Sequence, residues 1–328
     1  MPRLASLLNF GSSKAGTLEA WDTARIFTHG FVSGGYKNSD PWKNTNFTNH
    51  YTDATSNLGD NMWGNAAYND GSFGDFRFHV WGVGDNANQY PANYSLSGAW
   101  MFNMTNQSGY AQSSSWDLKS ARDDCGTIQD YEHAGAKVYI CAGSQAATDV
   151  FDMPTDAMLS AGSAANSNGG NWTACCEGQY RGWLKNDAGS QYYVLATNTW
   201  NSWPAVTQPN SNGWGKSMSS FKGWAYMKDG GNLNSTLCRF DDFTGTNLST
   251  FGVNNAGEEN YQQGSDKGYC LGEYNNQQNN NTYKVNFVTD AYNTLSDTPD
   301  GHDGMSSASC GTASVLTNAA YGTTVPSY

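Results

Sequence analysis

Short apolar runs closed by glycine alternate along this chain with short apolar runs that end in Asp, Thr or Asn. The first kind reads F-V-S-G-G-Y from Phe31, H-V-W-G-V-G from His79, K-V-Y-I-C-A-G from Lys137 and R-G-W-L-K-N-D-A-G from Arg181. It continues as G-W-A-Y-M-K-D-G-G-N from Gly223 and G-Y-C-L-G from Gly268. The second kind reads H-Y-T-D-A-T-S-N-L-G from His50, W-M-F-N-M-T-N-Q-S-G from Trp100 and D-V-F-D-M-P-T-D-A-M-L from Asp149. It recurs as V-L-A-T-N-T-W from Val194, S-T-L-C-R-F-D-D-F-T-G-T from Ser235 and V-N-F-V-T-D-A-Y-N-T-L from Val285. Every run is β-branched or aromatic and bounded by Gly, Asn or Asp, which predicts a strand. Glycine at the end of the first run permits positive φ or a close backbone approach. Asp-x-x-Thr or Thr-Asn at the end of the second bonds its own turn.

A third, more polar strand is expected before each next pair. It reads W-G-K-S-M-S-S before Phe221, A-G-E-E-N-Y-Q-Q-G before Ser265 and G-H-D-G-M-S-S-A-S-C near the end. S-W-D-L-K-S-A-R-D-D from Ser115 takes the same place. Six pairs at intervals of roughly 43 to 57 residues fall in the window of propellers and solenoids. One such unit is a small antiparallel sheet that cannot bury both faces alone. Six arranged radially bury them against one another, with the polar strand lining a central channel. The fold expected is therefore all-β, a six-bladed propeller closed by N- and C-terminal strands, with β-sandwich domains or a trimeric β-fibre as alternatives. Closure predicts that the strand around Gly304 to Ser309 pairs beside Phe31 to Gly35. The division expected is an N-terminal arm over residues 1–24, the propeller over 25–311 and a tail over 312–328.

Composition narrows the partners. Only 14% of the 328 residues are charged, with 17 basic against 29 acidic, a net charge of -12. Phosphate binding needs a basic footprint, so nucleic acid is excluded as an expected partner, as is docking on anionic lipid. Aromatics reach 14%, which together with abundant Gly, Asn, Ser and Thr fits a packed sheet core joined by turns. No apolar stretch is long enough to cross a membrane as a helix, and the start M-P-R-L-A-S-L-L-N-F carries no readable export signal. The seven cysteines form no Cys-x-x-Cys pattern. Cys141, Cys238 and Cys270 sit inside apolar runs, where reduced thiols pack as small hydrophobes, so assembly in a reducing cytoplasm is expected.

Candidate chemistry is sparse. His29, His50, His79, His133 and His302 show no metal-ligand spacing, so no metal and no cofactor is expected. Two acidic clusters, Asp123-Asp124 with Asp130 and Glu258-Glu259, suit paired-carboxylate work only if they share a face; strand alternation sends sequence neighbours to opposite faces. Asp241-Asp242 falls in the repeated turn and is read as structural. Nucleophile elbows and phosphate loops are missing from the sequence. Loop aromatics are the better lead. Trp42, Tyr90, Trp203, Trp214 and Tyr274 lie between strand-like runs beside Asn, Gln and Ser, and a flat ring flanked by amides suits a sugar.

The pairing of a Gly-Gly-closed run with a later Asp-x-x-Thr strand resembles the kelch repeat. Over longer stretches the chain is similar to virion structural proteins of tailed phages that infect marine cyanobacteria. The segments carrying this likeness are L-L-N-F-G-S, F-V-S-G-G-Y-K-N-S-D-P-W-K-N, G-W-G-K-S-M-S-S and G-E-E-N-Y-Q-Q-G with G-Y-C-L-G-E-Y-N. N-N-N-T-Y-K-V-N-F-V-T-D-A and G-H-D-G-M-S-S-A complete them. The resemblance implies a particle component located on the virion and assembled in the host cytoplasm. With no catalytic motif in the sequence, the expectation is a non-enzymatic protein, homo-oligomeric or present in many copies on the particle. Its expected partners are other virion proteins and host-surface glycans. The alternatives are a polysaccharide-degrading depolymerase on the same scaffold and a purely structural spacer.

Overall fold

A computed structural model describes residues 25–313 apart from the longer connections, chiefly 61–70, 84–96, 131–136, 160–173, 205–217, 229–235, 253–260, 272–281 and 296–305. The described regular structure is all strand, and no helix is long and apolar enough to cross a membrane. Strand β1 (Arg25–Ser33) leads through a small ribbon, β2 (Tyr36–Lys37) and β3 (Asp40–Pro41), to β4 (Asn44–Asn49) and β5 (Ala54–Asp60). The second sheet is β6 (Gly71–Gly74), β7 (His79–Val83), β8 (Ala99–Asn103) and β9 (Ser108–Gln112). The third is β10 (Gly126–Asp130), β11 (Lys137–Cys141), β12 (Asp149–Asp152) and β13 (Ala157–Met158). The fourth is β14 (Ala174–Glu177), β15 (Arg181–Asn186), β16 (Gly189–Val194) and β17 (Thr199–Ser202). The fifth is β18 (Met218–Ser220), β19 (Trp224–Lys228), β20 (Thr236–Asp241) and β21 (Asn247–Gly252). The sixth is β22 (Tyr261–Gln263), β23 (Lys267–Leu271), β24 (Thr282–Asn286) and β25 (Tyr292–Thr294), after which β26 (Ser306–Ala313) returns to the first sheet.

All six main sheets are four-stranded antiparallel meanders, and the first has the order β26-β1-β4-β5. Its first strand comes from the other end of the chain: Phe31 lies opposite Ala308 and Ser33 opposite Ser306. The leading strands of the sheets touch in cyclic order. β26 meets β6, β6 meets β10, β10 meets β14, β14 meets β18, β18 meets β22, and β22 meets β26 and β1.

The Gly-closed runs are the second strand of every sheet, and the Asp/Thr runs cover the end of the third strand and the turn after it. A fourth strand follows that turn in each sheet, one more than the sequence pattern predicts. The polar strands expected at W-G-K-S-M-S-S, A-G-E-E-N-Y-Q-Q-G and G-H-D-G-M-S-S-A-S-C are β18, β22 and β26. The fourth polar segment, S-W-D-L-K-S-A-R-D-D, is corrected: the leading strand of the third sheet is Gly126–Asp130, and Ser115 begins a connection.

Burial explains why that connection is not a strand. Leu118 is buried in the core between the second and third sheets, and Arg122 is wholly buried. The Arg122 guanidinium donates to the carbonyls of Ser120 (3.3 Å), Ile140 (3.1 Å) and Ala147 (2.5 Å) and to Asp149 Oδ2 (3.1 Å). Asp149 Oδ2 also accepts from the backbone N–H groups of Lys119 (3.1 Å) and Ser120 (3.3 Å). A buried ion pair tolerates burial only where further hydrogen bonds support it. The Lys119 and Ser120 backbone supplies three of them and the Ile140 and Ala147 carbonyls two more, while Asp149 Oδ1 has no hydrogen-bond partner among the described residues.

Candidate functional site

Second strands carry a central aromatic residue, in order Phe31, Trp81, Tyr139, Trp183, Tyr226 and Tyr269, and all six are buried. Strand alternation turns that ring to one face and its neighbour to the other. The ring always meets the following sheet. Phe31 packs on Phe102 of the second sheet at 5.5 Å, Trp81 on Phe151 of the third at 4.8 Å, and Tyr139 on Tyr193 of the fourth at 4.9 Å. Trp183 meets Phe240 of the fifth at 5.8 Å, and Tyr226 stacks on Phe287 of the sixth at 5.1 Å. Tyr269 of the sixth stacks on His50 of the first at 4.8 Å. Small residues show on the opposite face. Gly30 lies against Gln262 and Gly182 against Ile128, where a Cβ would sit 1.8 and 2.4 Å from the neighbouring side chain. Burying each such ring contributes about 2–3 kcal/mol.

The turn between the third and fourth strands supplies a second contact. Aligned, the turns read Asn49-His-Tyr-Thr-Asp53, Asp152-Met-Pro-Thr-Asp156, Val194-Leu-Ala-Thr-Asn198, Asp241-Asp-Phe-Thr-Gly245 and Asn286-Phe-Val-Thr-Asp290. In three of them the first side chain accepts from the backbone. Asn49 Oδ1 takes the N–H of Tyr51 (2.9 Å) and Thr52 (3.1 Å), Asn286 Oδ1 takes Val288 (2.8 Å) and Thr289 (3.0 Å), and Asp241 Oδ1 takes Thr244 (2.7 Å). In the Asp152 turn the donor is a side chain instead, the Thr155 hydroxyl. The turn then closes on a left-handed residue, with φ of 59° at Asp53, 51° at Asp156, 52° at Asn198, 72° at Gly245 and 57° at Asp290. Short polar residues and glycine tolerate that conformation best.

Four of these left-handed residues, Asp53, Asn198, Gly245 and Asp290, reach back to the preceding sheet. Tyr139 and Tyr193 hydroxyls donate to Asn198 Oδ1 (3.4 and 3.3 Å). Trp203 Nε1 donates to the Gly245 carbonyl (3.0 Å), and a Cβ on Gly245 would lie 2.5 Å from Trp183. Tyr226 donates to Asp290 Oδ1 (2.7 Å), and Arg239 pairs with the same carboxylate. Burial pushes the Tyr226 hydroxyl far up, and its hydrogen bond to Asp290 pushes it further. Tyr269 donates to Asp53 Oδ1 (2.6 Å), where Lys267 (2.9 Å) and Lys284 also bind.

The seam between the sixth and first sheets differs in kind. The seams from the second sheet to the sixth hold apolar clusters such as Trp81, Val138, Ile140 and Phe151, or Trp183, Trp203, Met227 and Phe240. Across the last seam face Asn46, Thr48, His50, Gln262 and Thr282, more than half of the buried polar residues among those described. Gln262 Oε1 and Thr282 Oγ1 have no hydrogen-bond partner among the described residues, a cost of about 1–3 kcal/mol per group. Burial pushes the Asp53 carboxyl up; hydrogen bonds from Lys267, Lys284 and Tyr269 outweigh it and hold the group at about 2.

Of the proposed sugar-stacking aromatics, Trp42, Tyr90, Trp214 and Tyr274 lie outside the described residues. Trp203 is corrected. Its ring is buried, packed on Trp183 at 4.7 Å and on Phe240 at 5.1 Å, so its face is closed to a ligand. Asp123, Asp124, Glu258 and Glu259 lie outside the described residues, and Asp130 ends β10 opposite Lys137. Asp241 acts in its turn, as the sequence suggests. Cys125, Cys141 and Cys238 are buried thiols, and the Cys270 side chain lies outside the described residues. No group of three or more His, Cys, Asp or Glu side chains able to hold a metal occurs among the described residues.

The residues missed by sequence reasoning are the left-handed turn positions and the aromatic each one meets. A signal was present, since Thr-Asp-Ala recurs at Thr52–Ala54, Thr155–Ala157 and Thr289–Ala291. No protein-family model matches the chain, and no curated protein matches it significantly.

Proposed function

We propose that the six sheets close into a six-bladed kelch-like propeller and that the chain is a non-enzymatic structural protein of a phage virion. Its role is that of an outer appendage or decoration, a fibre, whisker, collar or capsid-surface module. The observation that carries the reading is the cyclic order of sheet contacts, which runs from β26 through β22 and back to β26. The similarity of the long segments quoted above to virion proteins of tailed phages supplies the particle assignment. The chemistry of the polar side chains supports a structural role. Asp53, Asp149, Asp290, Arg122 and Arg239 bind one another, backbone or neighbouring sheets, and so serve cohesion. Host-surface glycan is the proposed outside ligand, taken by the connections that carry Trp42, Tyr90, Trp214 and Tyr274. Mass spectrometry of purified particles, with antibody labelling of intact ones, tests the assignment. The expected result is a multi-copy component whose label decorates the outer surface. Its absence from particles, or degradation of host polysaccharide by the purified chain, overturns the reading.

A further inference from the structure

We infer that the ring is built to part reversibly at one place, the seam between the sixth and first sheets, while β26 acts as a strap that keeps it from unravelling. The inference rests on the propeller reading and adds a moving part to it. Five seams are held by aromatic and aliphatic side chains, for which parting means exposing large apolar faces to water. At the sixth, the buried side chains described are mostly polar: Asn46, Thr48 and His50 on one side, Gln262, Thr282, Lys267 and Lys284 on the other, with the Tyr269 ring on His50 as the one aromatic contact described there. Water restores hydrogen bonds to these groups when the faces separate, Gln262 Oε1 and Thr282 Oγ1 included. The charged contacts of this seam converge on one carboxylate, Asp53, reached by Lys267, Lys284 and Tyr269, and the Tyr269 hydroxyl also lies within hydrogen-bond reach of the His50 carbonyl (3.4 Å). Its two lysine contacts are partly open to solvent, with side chains 18% and 23% exposed, so added salt weakens them.

The strap limits the motion. Chain continuity from β25 to β26 ties the sixth sheet to the first, where β26 pairs along β1 from Ser33–Ser306 to Arg25–Ala313. Separating the two side-chain faces breaks none of those ladder bonds. The open state therefore keeps every sheet intact and presents His50, Tyr269 and Gln262 as the walls of a polar cleft.

Native-state thiol labelling of the full-length Thr282→Cys variant, mapped by peptide mass, tests the seam against Cys141 in the same molecule. Both positions are fully buried, Thr282 in the closing seam and Cys141 in the apolar seam between the third and fourth sheets. The expected result is labelling at position 282 at least about tenfold faster than at Cys141, as local opening precedes global unfolding. Raising salt from about 0.1 to about 1 M should accelerate the seam position alone, as screening shortens from about 10 to about 3 Å. Lys284→Gln in the same background should raise the rate again. Equal rates and equal denaturant dependence at both positions overturn the inference and leave the ring standing. Labelling at the rate of an exposed thiol, unaffected by salt, overturns the ring itself. Gln262→Cys provides the same readout if Thr282→Cys fails to fold.

Discussion

Tyr269 and Asp53 are 216 positions apart in the chain, and the tyrosine hydroxyl donates to the Asp53 carboxylate at 2.6 Å. The contact is the last of a series in which the left-handed turn residue of one sheet receives the aromatic strand of the sheet before it. Tyr139 with Asn198, Trp183 with Gly245 and Tyr226 with Asp290 are earlier members. Tyr269 with Asp53 is the member that joins the two ends of the chain.

Replacing Asp53 by Asn tests that joint without disturbing the backbone, because Asn tolerates the φ of 59° found there. The charge lost is the common partner of Lys267 and Lys284. Urea unfolding of D53N should lose about 1–2 kcal/mol, with the midpoint moving and the slope unchanged.

Acid should act on the same group. The ordinary Asp53 value of 3.8 is held at about 2, so the unfolded chain binds this proton more readily than the folded one. Its stabilising contribution is complete above about pH 4 and is lost as pH falls through about 2. The stability difference between the parent chain and D53N should therefore be constant near neutrality and shrink toward zero in that window. A difference that persists below about pH 2 contradicts the assignment.

Gly245 is fixed by both backbone and space. Its φ is 72°, and a Cβ would lie 2.5 Å from Trp183 and 2.6 Å from Trp203. Gly245→Ala should cost about 2–4 kcal/mol in chemical unfolding. Gly98→Ala, where an added Cβ meets nothing within 4 Å, is the matched control and should change stability by less than about 0.5 kcal/mol.

Asp149→Ala removes the sole side-chain acceptor of the buried Arg122 guanidinium among the described residues. Leaving that charge uncompensated should cost about 3–5 kcal/mol. The double variant Arg122→Met, Asp149→Leu should recover part of the loss, which a thermal unfolding series would show.

Much of the architecture was legible because glycine and aromatic positions repeat with the sheets. The runs from Phe31, His79, Lys137, Arg181, Gly223 and Gly268 mark the second strands, and the Asp-x-x-Thr or Thr-Asn endings mark the turns. What escaped was set by long-range packing. The segment from Ser115 looks as polar as β18 or β22, yet Leu118 and Arg122 are drawn into the core by Asp149, some thirty residues away. Trp203 reads as a loop aromatic because Asn, Ser and Pro surround it; the Gly245 carbonyl that holds its indole belongs to the next sheet. The polar character of the closing seam was equally hidden, since Asn46, Thr48 and His50 are separated from Gln262 and Thr282 by most of the chain.

The claim on which the account rests is that the sixth sheet meets the first, and one spin-label distance measures it. Tyr51 and Val288 occupy equivalent turn positions in these two sheets and are 73% and 47% exposed, so cysteine-linked labels there leave the core untouched. Sheets pack about 10 Å apart, so a closed ring predicts a single narrow distance below about 30 Å between labels on adjacent sheets. An open row of six sheets places the same labels at least about 50 Å apart, and that distance would contradict the account.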